Sequence, residues 1–169
     1  VDASLNVFRW KTASYTTIAP LLFALLAAGA DPAEAWQQAL AIGRPLGLAF
    51  QLADDLLDVV GSSRNTGKPV GGDIREGKRT VLLADALAAA GTQDRQQLID
   101  LFESDARTDD QVAFVIALFQ STGAVERSRN RIHALWLESR AAIANLNLEP
   151  EAENHLIAAC ARFVPENLR

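Results

Sequence analysis

Residues 46–60 read LGLAFQLADDLLDVV, an apolar stretch with a few polar side chains at regular intervals. In helical geometry these polar positions follow the i, i+3, i+4, i+7 spacing and share one face: Gln51, Asp54, Asp55 and Asp58. Every other residue of the stretch is apolar or glycine, which predicts a helix that is buried apart from this face. Three carboxylates so close together are costly to desolvate, and a fold keeps them mainly where a cation compensates their charge.

The helix that carries this face has a clear predicted start. Of the 169 residues, 49% are hydrophobic and six are proline, which favours helix in a chain large enough for its own core. Asp31, Pro32 and Glu34 supply an acidic cap, a proline at the first helical position and a glutamate three residues after the cap. The pattern predicts one long helix over residues 32–60.

The segments on either side are compatible with helix as well. Residues 5–28 are expected to be helical, with Pro20 kinking or dividing the element because proline lacks an amide donor. No segment shows the alternation of a half-buried strand. The predicted fold class is all-α, in a single domain over residues 1–169, with later helices at 79–90, 94–102, 109–120, 123–146 and 150–163.

Charge and composition exclude several classes of function. The net charge of −5 argues against a nucleic-acid partner, because phosphate backbones require a surplus of Lys and Arg. The longest apolar run, residues 19–30, is shorter than the ~20 residues that a membrane span needs, so we expect no membrane span. Cys160 is the sole cysteine, which excludes an internal disulfide and favours a reducing cytoplasm.

Residues 61–77 read GSSRNTGKPVGGDIREG and contain five of the ten glycines, which predicts a mobile loop at an active site. Ammonium groups opposite a metal ion would balance the remaining charge of a bound diphosphate. Ordinary solvated loop cations are the alternative. The candidate cations in and directly after the loop are Arg64, Lys68, Lys78 and Arg79.

The three aspartates indicate a magnesium site. Mg²⁺ takes oxygen ligands and is usually held by one or two carboxylates together with substrate phosphates. No His or Cys is placed near them in the sequence, which disfavours zinc. A solvated acidic face is the alternative, but the apolar residues on both sides of the stripe favour a bound cation.

Lys11, Thr12 and Tyr15 begin an apolar helical segment, with Lys11 and Tyr15 on one face. A lysine buried against such a segment needs an anion, whereas a lysine at a frayed helix end needs none. The residues alone leave both interpretations open.

The chain carries an ordered set of motifs: Lys11-Thr12, Phe50-Gln51, Asp54-Asp55-x-x-Asp58, Thr66-Gly67-Lys68, Asp73 and Gly77-Lys78-x-Thr80. Taken in order, these motifs resemble the second half of the trans-isoprenyl diphosphate synthases, the family of the farnesyl and geranylgeranyl diphosphate synthases. The resemblance covers the whole chain. The family's first aspartate-rich motif and its basic residues for isopentenyl diphosphate are absent from the 169 residues, so we expect an inactive C-terminal fragment of a longer enzyme.

The resemblance implies a helical bundle of the isoprenoid synthase type and a Mg²⁺-dependent condensation of an allylic diphosphate with isopentenyl diphosphate, in a homodimer. It assigns the metal to the three aspartates, Asp54, Asp55 and Asp58. It assigns the allylic diphosphate to the three lysines, Lys11, Lys68 and Lys78. It assigns catalytic roles to Lys11, Thr12 and Gln51. Thr12 and Gln51 would contact the substrate and turn oxygen dipoles toward the developing allylic cation.

Two rival functions remain. A class I terpene cyclase ionises the same substrates, but cyclases commonly carry a different second metal motif rich in Asn, Ser and Glu, so the lysines and Lys78-x-Thr80 favour chain elongation. A non-catalytic subunit of a heteromeric synthase would have no reason to keep a costly carboxylate cluster, although the missing first half favours it.

Overall fold

The computed structural model describes residues 9–61 and 70–169, and the side chains of residues 9–11 fall outside that description. These ranges contain helices and no strand, which confirms the predicted all-α class. A π-helix, Arg9–Ile18, comes first, and a short 3₁₀ turn, Glu166–Leu168, comes last. The α-helices between them are α1 (Ala19–Ala27), α2 (Pro32–Val60), α3 (Gly72–Arg75), α4 (Val81–Ala89), α5 (Thr92–Glu103), α6 (Asp109–Ser121), α7 (Ala124–Ala144) and α8 (Pro150–Ala161).

The chain divides into two compact units. One unit comprises Asp54–Arg129, and the other comprises the chain up to Ala53 together with Asn130–Arg169. The predicted single domain over residues 1–169 therefore stays a prediction. None of the helices in the described ranges is long and apolar enough to cross a membrane.

Helix α2 begins where the sequence predicted. The Asp31 carboxylate accepts the N–H groups of Ala33, at 2.9 Å, and Glu34, at 3.2 Å, and so caps two of the unpaired donors at the helix start. Leu52 and Leu56 are each no more than 1% exposed. The long helix predicted for residues 32–60 is confirmed.

The π-helix lies against α2 at very short range, in the unit that contains residues up to Ala53. A Cβ atom added at Gly47 would lie 2.5 Å from the Cβ of Ala13, and one added at Gly43 would lie 2.9 Å from the Cα of Ile18. The Thr17 hydroxyl donates to the Gly43 carbonyl oxygen at 2.6 Å. The two backbones can approach this closely only because α2 carries glycine at both positions.

Pro20 divides the first helical segment as expected. The π-helix ends at Ile18, and Pro20 lies in the first turn of α1, where its missing N–H needs no partner within the helix. The later helices begin and end within two residues of the predicted positions.

The predicted loop over residues 61–77 needs one correction. Helix α3, Gly72–Arg75, lies within it. Four residues are too few for a helix to persist by itself, so contacts at its two ends must stabilise it. Those contacts are described below, and the earlier loop residues 62–69 lie outside the described ranges.

Candidate diphosphate and metal site

The three aspartates of α2 differ in their exposure to solvent. Asp54 is exposed, Asp58 is half-buried and Asp55 is only 6% exposed. Successive residues of an α-helix point about 100° apart, so Asp54 and Asp55 cannot both face solvent on a helix that is enclosed on most sides. Asp54 is therefore the carboxylate most accessible to a ligand from solution.

The carboxylate of Asp58 is occupied by backbone donors. Its Oδ1 accepts the N–H of Gly72 at 3.1 Å, and its Oδ2 accepts the N–H of Asp73 at 3.0 Å. The Asp58 carbonyl oxygen also accepts the N–H of Gly71 at 2.8 Å. Burial raises the pKa of the Asp58 carboxyl, although these N–H groups favour its charged form. Asp58 thus caps the start of α3 from 14 residues upstream.

Gly71, which immediately precedes α3, occupies a position where a side chain would be strained. Its φ angle is +80°, in the left-handed region that favours glycine. A Cβ atom there would also lie 2.4 Å from Cγ1 of Val112. The glycine therefore fixes both the turn into α3 and its close contact with α6.

The C-terminal end of α3 is a Schellman motif. Gly77 has a φ angle of +73° and donates its N–H to the Ile74 carbonyl oxygen at 3.0 Å. Lys78 donates its N–H to the Asp73 carbonyl oxygen at 2.9 Å. The backbone of Lys78 is thereby tied to the first turn of α3.

The side chain of Lys78 is held by acidic neighbours. Its ammonium group forms ion pairs with the Asp73 carboxylate and, at 3.2 Å, with the Glu76 carboxylate. The hydrogen bond to Asp73 raises the pKa of Lys78 above its ordinary value. The side chain is still 53% exposed, so an anion from solution can reach it. Sequence reasoning gave Asp73 no role, although its spacing from the Gly77-Lys78 pair is that of this capping motif.

Thr12 and Gln51 lie together in the second unit. The Thr12 hydroxyl donates to Oε1 of Gln51 at 3.1 Å, and Thr12 is 8% exposed. Next to Gln51, the Phe50 ring packs edge-on against Phe163 with the ring centroids 5.8 Å apart. The structure therefore joins two residues that are 39 positions apart in the sequence and were predicted to act together.

Two of the predicted lysines cannot be placed. The Lys11 side chain and the whole of Lys68 lie outside the described residues, so their roles stay predictions. Within residues 9–61 and 70–169, no group of three or more His, Cys, Asp or Glu side chains is arranged to hold a metal ion. Carboxylates that do not enclose an ion by themselves fit magnesium only where substrate oxygens complete its coordination shell.

A comparison with protein families decides the relationship. Residues 1–119 match the family described as polyprenyl synthetase. The chain belongs to the polyprenyl synthetase family. This confirms the resemblance that the ordered motifs indicated.

The proteins of known name that resemble this chain are prenyl diphosphate synthases. The chain is 38% identical over 158 residues to the short chain isoprenyl diphosphate synthase of Methanothermobacter thermautotrophicus, covering 90% of this chain and 47% of the relative. It is 36% identical over 126 residues to the (2E,6E)-farnesyl diphosphate synthase of Mycobacterium bovis, covering 73% of this chain and 34% of the relative. The chain spans about half, or less, of the length of these relatives.

Solved structures of polyprenyl synthetases share the fold. The geranylgeranyl pyrophosphate synthase of Corynebacterium glutamicum, complexed with isoprenyl diphosphate and magnesium, superposes with a TM-score of 0.85 at 35% identity, covering 96% of this chain and 46% of that one. The decaprenyl diphosphate synthase of Rhodobacter capsulatus gives a TM-score of 0.84 at 30% identity, covering 99% and 50%. The helices therefore form part of an isoprenoid synthase bundle.

Proposed function

We propose that this chain provides the diphosphate-ionising part of a prenyltransferase that condenses an allylic diphosphate with isopentenyl diphosphate. The observation that carries the proposal lies within Asp54–Arg129. Asp54, an exposed aspartate on α2, and Lys78, an accessible lysine after α3, belong to one unit. Contacts of Asp73 connect the lysine to Asp58, one helical turn after Asp54 on α2. A carboxylate for a metal and an ammonium for an anion are the two kinds of group that a bound diphosphate requires.

Magnesium fits the residues present, because the available donors on this part of α2 are carboxylate oxygens. We propose that Asp54 holds the ion, with Asp55 and Asp58 close enough in sequence to act on its coordination shell. When bound, magnesium supplies charge neutralisation of the leaving diphosphate. In the ranges 9–61 and 70–169 the acidic residues alone do not enclose an ion, so we propose that substrate oxygens and water supply the remaining ligands.

Lys78 is proposed to bind the diphosphate directly. Before an anion arrives, its charge is balanced by Asp73 and Glu76. A diphosphate carries more negative charge than either carboxylate and can therefore compete for the ammonium group. Lys11 and Lys68 are proposed for the same role, on the resemblance alone.

Thr12 and Gln51 are proposed to face the developing allylic cation. The Thr12 proton points to Gln51, so the Thr12 oxygen presents only its lone pairs to any other neighbour. An oxygen dipole fixed in this way stabilises positive charge without rearranging during the reaction. Phe50 precedes Gln51 in the chain and packs against Phe163, and we propose that these apolar rings help to exclude water from a carbocation.

The relatives reported above are named diphosphate synthases rather than cyclases, which supports chain elongation over the terpene cyclase alternative.

We further propose a homodimer in the cytoplasm. The exposed rings of Tyr15 and Phe23, at 68% and 69%, support association with another polypeptide surface. A buried, unpaired Cys160 is consistent with a reducing compartment.

A chimeric enzyme tests the proposal. Residues 1–169 would replace the matching part of the Corynebacterium glutamicum enzyme, and labelled isopentenyl diphosphate would be supplied with an allylic diphosphate and Mg²⁺. We expect prenyl diphosphate product, and we expect Asp54→Ala to lower turnover roughly a hundredfold or more. Asp105→Ala, which removes an exposed carboxylate of the same unit, is the matched control and should leave turnover unchanged. A folded chimera without activity, or equal losses in both variants, contradicts the proposal.

A further inference from the structure

Asp58 differs from Asp54 in what its carboxylate contacts. Both oxygens of Asp58 accept backbone N–H groups at the start of α3, whereas Asp54 is exposed. The positive ends of two N–H dipoles therefore point at the same oxygens that a metal ion would need. Because each Asp58 oxygen already accepts one N–H group, fewer of its lone pairs remain for a metal ion, and Asp58 is a less available ligand than the exposed Asp54.

Helix α3 depends on this contact. It has four residues, and a single helical turn is not stable by itself in water. Its start is fixed by Asp58 and by the left-handed turn at Gly71, and its end is fixed by the turn at Gly77. Removing any of these three constraints should loosen the segment.

Asp73 transmits the constraint from Asp58 to Lys78. Its N–H donates to Asp58, its carbonyl oxygen accepts the N–H of Lys78, and its carboxylate pairs with the Lys78 ammonium group. Three different groups of one residue thus connect the α2 carboxylate to the lysine. The position of the lysine follows from the position of Asp58.

We propose that Asp58 is a positioning residue that holds Lys78 in place through α3 and Asp73, and that it is not a direct metal ligand. The inference rests on the proposed function, because the value of holding Lys78 lies in binding diphosphate. Asp54 then binds the metal ion, and Asp58 contributes to diphosphate binding by holding Lys78.

Hydrogen exchange tests the anchor without any ligand. In Asp58→Asn the side chain keeps its size, but its amide group can accept only one of the two N–H groups. We expect the amides of Gly72 and Asp73 to exchange about tenfold faster, as the loss of one charge-assisted hydrogen bond predicts. Asp54→Asn is the matched control and should leave these amides unchanged. Gly71→Ala loosens the same helix start without altering a carboxylate and should accelerate the same exchange.

Pyrophosphate binding then separates positioning from metal binding. The Mg²⁺-promoted gain in pyrophosphate affinity should persist in Asp58→Asn, within about threefold of the original chain, and should vanish in Asp54→Asn. With EDTA in place of Mg²⁺, Asp58→Asn should bind pyrophosphate more weakly, although removing a negative charge would by itself strengthen anion binding. In a chain that already carries Lys78→Gln, adding Asp58→Asn should not weaken metal-free pyrophosphate binding further, because the ammonium group that Asp58 positions is gone.

Three results would overturn the inference: unchanged exchange at Gly72 and Asp73 in Asp58→Asn, loss of the Mg²⁺-promoted gain as complete as in Asp54→Asn, or stronger metal-free pyrophosphate binding. An Asp58→Asn chain that fails to fold supports the anchor, because removing a metal ligand from an acidic cluster relieves repulsion. If the original chain shows no Mg²⁺-promoted binding, the proposed function fails, and the exchange measurement still decides the anchor.

Discussion

Replacing Gly47 with alanine tests the close contact between the π-helix and α2. The new Cβ would lie 2.5 Å from the Cβ and 2.6 Å from the Cα of Ala13, whereas carbon atoms in van der Waals contact lie about 3.5–4.0 Å apart. The two backbones must therefore separate by roughly 1 Å. That movement also stretches the 2.6 Å hydrogen bond from Thr17 to Gly43 toward the limit of a useful bond.

The expected change in the free energy of unfolding has three contributions, of which two destabilise the fold and one stabilises it. Overpacking a tight contact costs about 1–3 kcal/mol. The weakened hydrogen bond costs about 1 kcal/mol more. Alanine favours a helix interior over glycine by about 1 kcal/mol, which offsets part of the loss. The net expectation for Gly47→Ala is a loss of about 1–3 kcal/mol in the free energy of unfolding.

Urea unfolding followed by circular dichroism measures this change. Gly91→Ala adds the same methyl group where no atom lies within 4 Å, and it should cost no more than about 1 kcal/mol through a poorer helix cap. Gly43→Ala, with nearest contacts of 2.9 Å, should cost less than Gly47→Ala. If Gly47→Ala unfolds at the same urea concentration as the original chain, or a higher one, the close contact is refuted.

Three further outcomes are expected. Asp54→Ala should leave the thermal unfolding midpoint unchanged while abolishing Mg²⁺-promoted pyrophosphate binding, because it removes charge repulsion without opening a cavity; parallel losses of both would make the residue structural. The 169-residue chain alone should form no prenyl product from isopentenyl and allylic diphosphates with Mg²⁺, since its sequence holds a single aspartate-rich motif, and a chromatographic assay that shows robust product contradicts this. Because Asp73 raises the pKa of Lys78, that ion pair should stabilise the fold below the ordinary lysine pKa of 10.5 and lose its effect as the pH rises through the raised value. At 53% exposure the effect should not exceed about 1 kcal/mol, measured as the difference in unfolding free energy from Lys78→Gln across pH.

Local signals were sufficient to predict most helices. The cap at Asp31 and the proline after it locate the start of α2, because the groups that determine a helix start lie within a few residues of it. The structure shows a local signal of the same kind at α6, where Thr108 and Gln111 form a reciprocal capping box. These features belong to short stretches of sequence and need no tertiary information.

The features that sequence reasoning missed depend on contacts between distant residues. Helix α3 was assigned to a loop because its glycines break periodicity, and its stability comes from Asp58, 14 residues upstream. The burial of Asp55 was missed because spacing places it on a face but does not show what covers that face. The hydrogen bond between Thr12 and Gln51 was missed as well, since residues 39 positions apart give no local signal, and only their shared role came from the family resemblance.

The central claim is that the acidic face of α2 binds diphosphate through magnesium. Titration calorimetry of the 169-residue chain with preformed magnesium pyrophosphate, with pyrophosphate in EDTA and with Mg²⁺ alone measures it most directly. The account predicts weak binding of Mg²⁺ alone and at least about tenfold tighter binding of the magnesium complex than of pyrophosphate in EDTA, a difference of about 1.4 kcal/mol. Tight binding of Mg²⁺ without any phosphate, or equal affinities with and without the metal, would contradict it.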